Sequence, residues 1–282
     1  MIRIKNKYYL KETVFLFLLS FYAALLIPAS AQWTDISINN GPNINAVFFI
    51  NNSTGYVVGD SGNIYQTLNG GTTWNKQISP MSVDLHDIFF TSLATGYIAG
   101  DSGRIFKTVN SGNTWSMLSS GITENLNAVY FINDSTGFVV GDNGIILKTI
   151  DAGNSWNSLP SPTIYILKDI SFYANRGIAV GVYGAIVKSN DYGNTWTAVN
   201  SPSTEQLNSC SLLNSDVFYL AGNNKTVLKT SNGGTSWTTL TLPLSFDIRG
   251  IFSYNNQNCY IAGNNGTIFT SYFDTQWVQE VS

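Results

Sequence analysis

The chain has one histidine, His86, and two cysteines, Cys210 and Cys259, and none of them lies in a His-x-x-x-His or Cys-x-x-Cys spacing. Zinc needs three or four such ligands converging on one point, so no zinc centre is expected. Carboxylates are the richer candidates. Glycoside hydrolysis needs two opposed carboxyl groups, and Asp84, Asp87 and Asp169 are expected near one mouth of the fold, as such a pair or as solvated loop groups. The Asp-Ser-Gly and Asp-Asn-Gly stretches at Asp60, Asp101 and Asp142 offer oxygens to calcium. They lack the run of alternating ligands that calcium loops use, and turn formation accounts for them. No catalytic residue, metal site or cofactor is assigned.

The elements that must position these residues follow from an internal ruler. Tryptophans fall at Trp33, Trp74, Trp115, Trp156, Trp196, Trp237 and Trp277, with gaps of 41, 41, 41, 40, 41 and 40 residues. Within each period, four short runs rich in Val, Ile, Phe and Tyr are punctuated by Gly, Asn and Asp, as in NAVYFI, TGFVVGD, GIILKTI and SWNSL. Each run is strand-sized and too short for an amphipathic helix. Four strands, A to D, per period of about 40 residues point to a β-propeller of antiparallel blades. Ile44, Leu85, Leu126, Leu167, Leu207 and Ile248 each open strand A, 11 residues after the preceding tryptophan. Every D to A connection therefore has the same length.

Six complete repeats follow a lone D-type strand at Trp33 to Ile38. Six blades are the favoured reading, with an incomplete seventh blade as the alternative. Cys210 falls in strand A of the fifth repeat and Cys259 at the start of strand B in the sixth. That placement separates them, so two buried thiols are expected rather than a disulfide.

Residues 1–31 combine Arg3, Lys5, Lys7 and Lys11 with an apolar run from Val14 to Ile27 and an Ala29-Ser30-Ala31 site. This reads as a signal peptide cleaved before Gln32, with an uncleaved anchor as the alternative. The domain is then residues 32–282, secreted or periplasmic, with no stable membrane insertion after cleavage. Removal of the segment leaves ten basic and sixteen acidic residues, a net charge of −6. Nucleic acid is excluded as a partner, because phosphate binding needs clustered Lys and Arg.

The hairpins from C to D read TLNGGTTW, TVNSGNTW, TIDAGNSW, SNDYGNTW and TSNGGTSW. They resemble the Asp-box, or BNR, repeat. Asn69, Asn110, Asp151, Asp191 and Asn232 accept backbone hydrogens inside the turn, a glycine supplies the left-handed position, and Trp74, Trp115, Trp156, Trp196 and Trp237 pack back between sheets. The sixth copy, TSYFDTQW, replaces the acid with Tyr272 and the glycine with Asp274. Sialidases share this box, but they need three convergent arginines. Arg104, Arg176 and Arg249 occupy different repeat positions and are not expected to meet.

With the Gly-aromatic-aliphatic stretches at Gly55 to Gly62, Gly96 to Gly103 and Gly137 to Gly144, residues 33–281 resemble the photosystem II stability and assembly factor family. That resemblance implies a seven-bladed, exported, non-enzymatic propeller that helps complexes assemble, and a protein partner in the cell envelope or outside the cell.

The D to A and B to C connections share one end of a propeller, the usual recognition side. After each leading aliphatic comes Asn45, His86, Asn127, Lys168, Asn208 or Arg249, and the B to C turns carry Asp60, Asp101 and Asp142 in the first three repeats only. A lopsided face of this kind is expected to orient a protein partner by charge. Glycan binding is the rival, resting on Tyr165, Tyr183 and Tyr192 near loops. The recurring strand C lysines, Lys107, Lys148, Lys188 and Lys229, are expected to keep blade edges soluble.

Overall fold

The computed structural model describes residues 43–280 apart from Leu244 and Phe273. The segment read as a signal peptide, residues 1–31, and the strand expected at Trp33 to Ile38 lie outside the described residues. Six four-stranded antiparallel sheets, each a meander in chain order, form a six-bladed β-propeller. In the first blade the strands are Ile44–Phe49, Gly55–Gly59, Asn63–Thr67 and Asn75–Gln77, which we term A to D. The other five A strands are Leu85–Phe90, Leu126–Phe131, Leu167–Tyr173, Leu207–Leu212 and Ile248–Asn255. They stand side by side around the channel.

Strand B is buried on both faces in most blades, which is why it reads as a continuous apolar run such as Gly137–Gly141. Among the described residues five cores form, each between two successive blades. The core between the second and third blades contains Tyr97, Ile105, Leu126, Phe131, Leu147 and Trp156. Trp115, Trp156 and Trp196 are buried, and Trp156 meets Phe131 of its own strand A edge-on at 6.1 Å. Packing alone holds them, since the Nε1 atoms of Trp115, Trp156, Trp196, Trp237 and Trp277 have no acceptor among the described residues.

Cys210 and Cys259 are free and buried, as expected. Burial pushes the Cys210 thiol well up and the Cys259 thiol up to about 12, so neither is a nucleophile at neutral pH. Among the described residues no helix is long and apolar enough to cross a membrane.

Candidate partner-binding face

Asn45, His86, Asn127, Lys168, Asn208 and Arg249 share one backbone device. In every blade the pairing of strands A and B skips one residue directly after the leading aliphatic, as between Leu126↔Gly141 and Ala128↔Val140. Each of the six is therefore the extra residue of a β-bulge, which re-aims its side chain toward the B to C turn. The bulge brings the chain so close to strand B that only glycine fits opposite. A Cβ on Gly141 would lie 2.1 Å from the Asn125 carbonyl oxygen.

In five blades the bulged residue holds the turn residue fifteen positions later. Asn45 donates to Asp60 at 2.9 Å, His86 Nε2 meets Asp101 at 2.7 Å, and Asn127 donates to Asp142 at 3.0 Å. Asn208 donates to Asn223 at 2.8 Å and Arg249 Nε to Asn264 at 2.9 Å. The three asparagines also reach the next blade, donating to the carbonyls of Leu85, Leu167 and Ile248. The acids Asp60, Asp101 and Asp142 are thus engaged side chains. Donation by Asn45 and then by Asn43 holds the Asp60 carboxyl below its ordinary value. The fourth blade lacks this clasp: Lys168 stands opposite Val182 and has no hydrogen-bond or ion-pair partner among the described residues.

Asp87 and Asp169 depart from the expectation of solvated loop groups. Both sit inside strand A, one residue past the bulge. Asp87 accepts the N–H of Ile88 at 2.8 Å and that of Val129, on the next blade, at 2.9 Å. Asp169 accepts from Ile170, from Cys210 N–H at 2.8 Å and from Ser209 Oγ at 3.0 Å. They are inter-blade ties. Desolvation pushes the Asp169 carboxyl up to about 6 against its N–H donors, and raises Asp87 too, with the Asp169 charge adding to the effect. Asp84 instead accepts the N–H of Ser61 at 2.8 Å, on the loop. Each oxygen of Asp87 and of Asp169 accepts a backbone N–H. No three His, Cys, Asp or Glu residues cluster as metal ligands among the described residues.

The opposite end carries the box hairpins. Asp151 Oδ1 accepts the N–H of Ser155 at 2.9 Å, and Asn69 Oδ1 does the same for Thr73 at 2.9 Å. Thr149 Oγ1 accepts Gly153 N–H at 2.9 Å and donates to Asp151 at 2.8 Å. Asn110, Asp191 and Asn232 repeat the pattern. The Ser155 hydroxyl and N–H hold the Asp151 carboxyl down at about 2. For Asp191 burial acts upward, but the Thr195 donors outweigh it, and the carboxyl also lies at about 2.

The strand C lysines are not edge groups. Lys107 Nζ donates to the Ala152 carbonyl at 2.7 Å, Lys188 to Gly233 at 2.9 Å, and Lys148 to Tyr192 at 3.1 Å. Each fastens its blade to the box turn of the next, and Lys107 and Lys148 lie over the Tyr97 and Phe138 rings. In the sixth hairpin Asp274 does not occupy the glycine position. Its N–H donates to Gln257, as Gly70 donates to Ser53, and its carboxylate receives Lys229 and the Tyr219 hydroxyl. Tyr192 sits at this box end, its N–H on the Asn175 carbonyl. It therefore cannot join Tyr165 and Tyr183, whose rings meet at 5.1 Å on the other end.

Comparison with known proteins agrees with this architecture. No curated protein matches the sequence. Among solved structures, one described as YCF48 bound to D1 peptide superposes with a TM-score of 0.70 at 18% identity, covering 85% of this chain and 81% of that one. YCF48 from Cyanidioschyzon merolae gives 0.73 at 14% identity, covering 88% of each chain. A GH74 enzyme from Niastella koreensis gives 0.67 at 15% identity, with 83% of this chain on 47% of that one. At such identities these likenesses show the propeller fold alone. The sequence profile described as photosynthesis system II assembly factor YCF48 matches residues 77–163 and 151–282. That span exceeds half of the chain, and the chain belongs to the photosynthesis system II assembly factor YCF48 family.

Proposed function

We propose that the protein is an exported, non-enzymatic scaffold whose D to A and B to C loop end binds a protein partner in the cell envelope or outside the cell. The observation that carries this reading is family membership, since a YCF48 of the same fold is described as holding a D1 peptide. The chemistry of the face supports it. Lys168 and Arg249 lie on the side whose B to C turns carry Val182, Asn223 and Asn264 rather than acids, so an acidic partner is oriented by charge. Export rests on residues 1–31, and amino-terminal sequencing of protein recovered outside the cytoplasm is expected to begin at Gln32.

The test is a cross-linked pull-down from native cell envelope with the mature protein beside a Lys168→Glu, Arg249→Glu variant. Capture by the first and loss by the second supports the reading. Equal capture by both contradicts the assignment of this face. Capture of nothing by either removes the scaffold role. A carbohydrate-binding reading is favoured by one observation, the exposed Tyr165 and Tyr183 pair. It requires retention on a polysaccharide that Tyr183→Ala abolishes.

A further inference from the structure

The fourth blade keeps the backbone of its neighbours while abandoning their side chains. Its B to C turn, Val182–Gly184, places Tyr183 at φ 58°, ψ 31°. Ser61 lies at 55° and 31° in the first blade, and Asn143 at 57° and 24° in the third. Left-handed backbone suits Asn and Ser, and costs a bulky aromatic on the order of 1 kcal/mol. The contact that offsets it is a single edge-to-face ring pair, which leaves most of the tyrosine in solvent. Tyr183 is 67% exposed, and its contact is with Tyr165, itself 46% exposed.

The adjoining D to A loop departs in the same way. Ile164, 81% exposed, stands where the third and fifth blades have Thr123 and Thr204. Tyr165 stands where they have Glu124 and Glu205, and Ile166 where they have Asn125 and Gln206. Asn125 accepts the Ser102 N–H of the preceding turn at 3.0 Å, as Asp84 and Asp247 do for Ser61 and Asn224. Ile166 cannot. Lys168 and Val182 replace the clasp. Polar groups that tie loops together elsewhere have thus given way, in one blade, to exposed apolar and aromatic surface beside an unpaired ammonium.

We propose that Ile164, Tyr165, Tyr183 and Lys168 form a docking site for an acidic, apolar peptide segment. One aliphatic or aromatic side chain of the peptide packs on the tyrosine pair and Ile164, and one carboxylate pairs with Lys168. The proposal rests on the scaffold reading and names its site. Peptide is favoured over glycan because the departures remove hydrogen-bonding side chains, which sugar hydroxyls require, and add a cation and aliphatic surface.

The experiment uses mature protein and three probes followed by fluorescence anisotropy. These are a dodecapeptide with Leu-Phe flanked by Glu and Asp, the same peptide with Lys at the flanks, and labelled cellohexaose. Two variants restore what the third blade has: Tyr183→Asn, and Lys168→Asn with Val182→Asp. Both remove strain or rebuild a clasp, so folding is retained, and a circular dichroism melt verifies it. The acidic peptide is expected to bind, and each variant to weaken it at least tenfold. Equal binding of the Lys-flanked peptide, unchanged affinity in both variants, binding of cellohexaose alone, or binding of no probe would each overturn the site. An envelope partner retained by Lys168→Asn, Val182→Asp would also overturn it while leaving the scaffold reading intact. Failure of the wild type to capture any partner would count against the scaffold reading itself.

Discussion

The two ends of this propeller repeat with different fidelity. At the box end, five hairpins reach one hydrogen-bond pattern from either Asn or Asp. Where the sixth decays, Asp274 still receives the neighbouring lysine. At the other end, five blades share a clasp between bulge and turn, and the fourth discards it without moving its backbone. Departures that preserve an interaction are structural drift, whereas the departure that discards one and exposes aromatic surface is the observation on which the proposed peptide site rests.

The largest expected effect tests the shared framework. Trp156→Ala opens the space against Phe131 and is expected to cost about 3 to 5 kcal/mol in urea unfolding. Unchanged stability would refute the inter-blade packing. Thr149→Val, at a fully buried position, leaves the Gly153 N–H without its acceptor. The expected loss is about 1 to 3 kcal/mol, against near neutrality for Asp151→Asn, because Asn69 already fills that role in the first blade.

pH separates the ends further. Asp169 is raised to about 6 in the folded protein, above an ordinary value near 4. Its unfolded form ionises first, so its contribution to stability is fully present below about pH 4 and is lost as pH rises through about 6. Stability is expected to fall between about pH 4 and about pH 7 by up to about 2 kcal/mol, after allowance for solvent screening. Asp169→Ser, which copies the tie made by Ser209, should flatten that slope. Asp151 and Asp191, held at about 2, act in the opposite sense. Their contribution is present above about pH 4 and lost toward pH 2. A smaller loss, about 1 kcal/mol, is expected of Lys148→Ala, from the tie to Tyr192 and Asn194.

Much of the fold was legible because tryptophan spacing, aliphatic strand openings and box turns all share one period. Less of the face was legible. The clasp partners sit a constant fifteen residues apart, from Asn45 and Asp60 to Arg249 and Asn264, which is a signal in plain view. Sequence reading nevertheless gives both members to the partner-binding face and does not pair them with each other, because a bulge leaves no mark in strand alternation. Asp87 and Asp169 interrupt apolar strands, and that interruption marks a buried tie rather than a loop acid. The lysine fasteners were not legible at all, since their acceptors are backbone carbonyls on the next blade and carry no residue signature.

The central claim is that the box end holds the molecule together while the fourth-blade loops receive the partner. Carbodiimide cross-linking of the captured complex tests it most directly, because it joins a lysine amine to a carboxylate in contact. The account predicts a bond from Lys168 to an acidic residue of the partner. Cross-links confined to Lys107, Lys148, Lys188 and Lys229 would place the partner at the box end and contradict it.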